Sequence, residues 1–74
     1  MNNEDARRLL LYFVGKYVSD PALKEKLLDL SLNRRDVYGS PPVRGIMYDV
    51  LENMNGQMDR DDKEKMYELQ FYFN

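Results

Sequence analysis

The chain has 74 residues, 43% of them apolar, with 11 Lys and Arg against 13 Asp and Glu and a net charge of −2. That length predicts one domain spanning residues 1–74, near the lower limit for folding alone. It has no Cys and no His, which excludes disulfides, thiolate or imidazole metal sites and imidazole acid–base chemistry, so stability must come from helix packing or association.

Ten Leu and five Met stand against five Val, one Ile and no Thr. That balance favours helices over strands. The spacing predicts an all-α, compact single domain of four short amphipathic helices, over about 4–18, 21–32, 41–55 and 60–73.

In the first helix, Ala6, Leu9, Leu10, Phe13, Val14 and Tyr17 recur at spacings of three and four and define one apolar face. Asp5, Arg8, Tyr12 and Lys16 fall on the polar face. Asn2 or Asn3 is suited to cap the start, with Glu4 and Asp5 at the positive end of the dipole. Ser19-Asp20-Pro21 stops this helix and starts the next, with Asp20 as N-cap and Pro21 at the first helical position. Leu23, Leu27, Leu28 and Leu30 then face inward. The turn is short enough to make these two helices packing neighbours.

A connector from Asn33 to Ser40 follows. Ser40 reads as the cap of the third helix, with Pro41 and Pro42 in its first turn. Val43, Ile46, Met47, Val50, Leu51 and Met54 give this helix the cleanest period in the chain. Asn55-Gly56 closes it, Gly56 serving as a left-handed C-cap residue. Gly15 and Gly45 sit inside helices, where each costs roughly 1 kcal/mol relative to Ala.

Asp59 opens the fourth helix. Asp61, Asp62 and Glu64 crowd its positive end, and Met66, Leu69, Gln70 and Phe73 share a face. The last run, Leu69 to Asn74, has three consecutive aromatics that also fit a strand. The helical lead-in favours helix. Helices one, three and four are expected to make the core.

The longest apolar run, Leu9 to Val14, is far below the roughly 20 residues that span a bilayer. No targeting signal stands out, and the expected setting is cytoplasmic, away from membranes.

Catalysis has little to work with. The short hydroxyls are Ser19, Ser31 and Ser40, the glycines are spread too widely for a phosphate loop, and the carboxylates gather at helix starts. The acidic run from Asp59 fails as a calcium loop, because position six is Glu64 and position twelve is Gln70. No metal and no cofactor are expected, and the protein is read as non-enzymatic.

Two kinds of partner fit better. The fourth helix holds more apolar side chains than one stripe can bury, leaving Tyr67, Phe71 and Tyr72 as a candidate protein-binding surface, with Tyr48 on the outer side of helix three. This makes a small regulator or adaptor the leading expectation. A homo-oligomer joined through the C-terminal aromatics is an alternative. Residues 1–44 hold eight basic and six acidic side chains, net +2, whereas residues 45–74 hold three and seven, net −4. Arg34, Arg35 and Tyr38 in the connector, with Arg7, Arg8 and Arg44, form the alternative nucleic-acid-binding set.

Overall fold

The computed structural model describes residues 1–73. Four helices lie among them: α1 (Asn3–Tyr17), α2 (Pro21–Asn33), α3 (Val43–Asn53) and α4 (Arg60–Tyr72). The C-terminal aromatic run is therefore helical to Tyr72, and Asn74 lies outside the described residues.

Side chains that satisfy free N–H groups start three of these helices. Asn2 accepts from the Asp5 N–H while the Asp5 carboxylate reaches back to the Asn2 N–H, a reciprocal capping box. Asp20 accepts from the Leu23 N–H at 2.9 Å, and Asp59 from the Asp62 N–H at 2.8 Å.

The third helix departs from expectation at both ends. Ser40 does not cap it. The Ser40 N–H is held by the Asp36 carboxylate at 2.9 Å, and its hydroxyl donates to the Asn3 side chain at 3.1 Å. Pro42 disfavours helical geometry at Pro41. Pro42 itself sits at φ −76° and ψ 70°, with the Val43 N–H bonded to the Pro41 carbonyl, an inverse γ-turn. The helix starts only at Val43. At its other end Met54 turns extended and forms an antiparallel bridge with Val18, so α3 stops at Asn53. Gly56 does take a positive φ of 78°, but it turns the α3–α4 link beyond the helix and does not cap it.

The core also differs in plan. α1 is the hub and touches all three other helices. α2 packs on α1 and α3, so it belongs to the core instead of standing outside it, while α2 and α4 make no contact. Ala6, Leu10, Phe13 and Val14 of α1 are fully enclosed, with Leu27 of α2, Met47 and Val50 of α3 and Leu69 of α4. Met58, between α3 and α4, plugs the same core.

The molecule measures 33 × 27 × 16 Å along its principal axes. Two packed helices whose axes lie 8–10 Å apart fill roughly 14 Å of backbone thickness, so there is room for two layers and not for three. α4 touches both α1 and α3, yet it buries only the Asp62–Met66–Leu69 stripe, so its outer face meets solvent.

Candidate protein interface

α3 and α4 run antiparallel. The start of α3 meets the end of α4 in a shallow groove of about 190 Å³ lined by Val43, Arg44, Gln70 and Phe73. The end of α3 meets the start of α4 in a second groove of about 320 Å³. Leu51, Met54, Met58, Met66 and Tyr67 give this second groove an apolar, methionine-rich lining, with Lys63 as its charged member. Methionine is flexible and polarisable, which lets such a surface adapt to a bound side chain.

The sequence-selected aromatics stand around this seam. Tyr48, Tyr67, Phe71 and Tyr72 are 65%, 62%, 76% and 54% exposed. Tyr67 lines the second groove, while Phe71, one turn further along α4, and Tyr48 stand on the outer faces of their helices beside the seam. Tyr72 points the other way round α4, on the side of Lys65. Its ring still meets Phe71 edge-on, with centroids 5.2 Å apart.

The basic set does not gather on one surface. Arg7 is 5% exposed and buried beneath the connector, where its guanidinium donates to the Gly39 carbonyl. It lies at the edge of the apolar stripe, three residues before Leu10, and the connector folds over it. Expected as a phosphate contact, Arg7 is instead a buried tie between α1 and the connector. Arg8 is exposed on the outer side of α1. Arg34 and Arg35 line a groove of about 330 Å³ with Asp36, Ser40, Pro41 and Pro42. Tyr38 is exposed nearby at the connector tip, above Gly39, whose φ of 80° turns the chain. Arg44 lines a different groove, on the α3–α4 seam.

One polar cluster escaped the sequence reading. Asp62 stands at the positive end of α4, as its sequence position suggests, but it is only 2% exposed. Its carboxylate accepts from Lys16 at 2.8 Å, from Tyr12 at 3.0 Å and from the Tyr17 hydroxyl. Lys16 also reaches Asp59 at 2.9 Å. Lys16 and Lys65 both stand over the Tyr12 ring at 5.4 Å from its centroid. Two signals in the sequence point there. Asp62, Met66, Leu69 and Phe73 follow one i, i+4, i+7, i+11 stripe, and Tyr12 and Lys16 are one turn apart on α1.

Burial pushes the Asp62 carboxyl up, but the hydrogen bonds from Lys16, Tyr17 and Tyr12 outweigh it and hold the group down at about 2. Asp59 is lowered by the Asp62 backbone N–H and by Lys16. Tyr17 is raised by burial and by its bond to Asp62. Lys16 is raised by its bonds to Asp62, Asp59 and Tyr12. Near pH 7 these shifts hold Asp62 and Asp59 ionised, Lys16 charged and Tyr17 neutral, and the cluster clasps α4 to α1.

Among the described residues no three acidic side chains converge in an arrangement able to hold a metal ion, and no helix is long and apolar enough to cross a membrane. Comparison of the chain with protein-family models, curated proteins and solved structures gave no match.

Proposed function

We propose that this protein is a small non-enzymatic regulator or adaptor that acts by binding a partner protein across the α3–α4 seam. The observation that carries the reading is the exposed Tyr67 in a methionine-rich groove, with exposed Phe71 one turn further along α4 and Tyr48 on the adjoining helix. Large rings held by two torsions lose little entropy on docking, and they dominate the energetics of protein interfaces. Tyr72 extends this surface round α4 through its contact with Phe71. A cytoplasmic setting belongs to the same proposal, since a chain without cysteine loses nothing in a reducing compartment.

The test is affinity capture from the native lysate, after nuclease treatment, with the wild-type chain and with Tyr67→Ser/Phe71→Ser. The expected result is a discrete protein retained by the wild type and lost with the variant, while both melt at the same temperature. Retention by both, or by neither, would overturn the reading.

A second reading, nucleic-acid binding, draws on the Arg34–Arg35 groove beside exposed Tyr38. It predicts capture that nuclease abolishes and affinity that falls steeply with salt.

A further inference from the structure

α3 carries an exposed stripe that its own fold leaves unused. Arg44, Tyr48 and Glu52 recur every four residues and are all exposed, so they line one side of the helix. Among the described residues neither Arg44 nor Glu52 has an ion-pair partner. The stripe has a cation at one end, an anion at the other and a ring midway. Helical rise puts the two charges about 12 Å apart, each about 6 Å from Tyr48.

Such a stripe is its own complement. A half-turn about an axis through Tyr48 brings Arg44 opposite Glu52 of the partner subunit and Glu52 opposite Arg44 of the partner subunit. The two Tyr48 rings then meet at the axis. An isologous interface requires this relation, in which residue i meets j and j meets i.

Gly45 is compatible with such an approach. It lies in the first turn of α3, beside Arg44 and one turn before Tyr48, and a Cβ added there meets nothing within 4 Å. Packing inside this chain gives no reason for a residue that weakens a helix. Bare backbone at that point lets a second helix come close.

We propose that the Arg44–Tyr48–Glu52 stripe is a homodimer interface, with α3 packed antiparallel on α3 of a second copy, Tyr48 on the axis and Gly45 one turn from it. The inference goes beyond partner docking, overlaps it at Tyr48, Arg44 and Leu51, and either one can fail alone. Leu51, partly exposed next to the stripe, adds apolar area.

Sedimentation equilibrium of the full chain, from about 10 to about 500 µM, tests it, because a patch this small supports only weak, micromolar association. The wild type should show a reversible monomer–dimer equilibrium in that range. Arg44→Glu and Glu52→Arg each place two like-charge pairs in the dimer and should weaken it at least tenfold. An equimolar mixture of these two variants should form a heterodimer, and the double variant should regain wild-type association. Gly45→Leu should weaken the dimer while its dilute-solution melt shows a fold at least as stable. A wild type that stays monomeric throughout, single variants that dimerise as well as wild type, or a mixture that does not recover would overturn the proposal. Thermal melts of each variant separate loss of association from loss of fold, and a Gly45→Leu chain that dimerises normally would count against the close approach.

Discussion

Asp62→Asn is the sharpest test of how α4 is held. The change keeps shape and nearly keeps volume, but it replaces an acceptor-only carboxylate with one acceptor oxygen and an N–H donor. The wild-type carboxylate serves Lys16 at 2.8 Å, Tyr12 at 3.0 Å and the Tyr17 hydroxyl. An amide oxygen cannot serve all three, and its NH₂ group will confront either an ammonium or a hydroxyl donor. Two charge-assisted bonds are lost or weakened, at about 1.5–3 kcal/mol each. Lys16 is partly in solvent and keeps Asp59, which returns some of that loss. The net effect should be about 2–4 kcal/mol. A domain of this length is stable by roughly 4–11 kcal/mol, so about a fifth or more of the total is at stake. The corresponding fall in Tm is roughly 13–26 °C. Thermal and urea unfolding followed by far-UV circular dichroism measures it, with the neighbouring, exposed Asp61→Asn as control. If Asp62→Asn and Asp61→Asn both lie within about 0.5 kcal/mol of wild type, the clasp does not exist as described.

The same cluster sets the pH response. Asp62 is lowered on folding, from an unfolded value near 4, so its contribution is complete above about pH 4 and is lost as pH falls towards 2. Lys16 and Tyr17 are raised, so their contributions are complete below about pH 10 and are lost as pH climbs further. Urea midpoints across pH should therefore fall at both extremes, and Asp62→Asn should flatten the acid limb; an unchanged acid limb counts against the linkage. Leu27→Ala tests whether α2 belongs to the core. It should cost about 2–5 kcal/mol, against less than about 0.5 for the more exposed Leu32→Ala, and equal effects would place α2 outside the core. Phe71→Ser should leave Tm within about 2 °C of wild type, because the ring is mostly in solvent; a large fall would make Phe71 a core residue.

The helices were legible because their signals are local. Asn2, Asp20 and Asp59 cap as their residue types suggest, and the apolar period marks the enclosed faces of α1 and α3. What escaped depends on contacts between elements. Ser40 looks like a cap until the Pro41–Pro42 turn delays the helix to Val43 and the Val43 N–H goes to the Pro41 carbonyl. The exit of α3 is fixed by Val18, thirty-six residues away in the chain, which draws Met54 into an extended bridge. Arg7 reads as a free cation until the connector closes over it. Asp62 reads as helix-start charge, although its position on the Met66–Leu69 stripe already contradicts that. A polar residue on an apolar stripe asks for partners, and Tyr12 and Lys16 were one turn apart and waiting on α1.

Where the aromatics go follows from thickness more than from hydrophobicity. A chain this short closes one core around α1 and has no third layer to lay over α3 or α4. Its last helix spends Asp62, Met66 and Leu69 on the inward side, and Asp62 is held there by a charge cluster that an apolar residue would not need. The rings of Tyr67 and Phe71 are therefore outside by geometry, and nothing in the chain's own folding requires them to be aromatic. The same reasoning applies to Gly45, whose missing side chain no internal contact demands. Residues whose identity the fold does not use lie on both sides of the α3–α4 seam, and there they stand beside an apolar, methionine-rich groove, which directs the search for binding to this face.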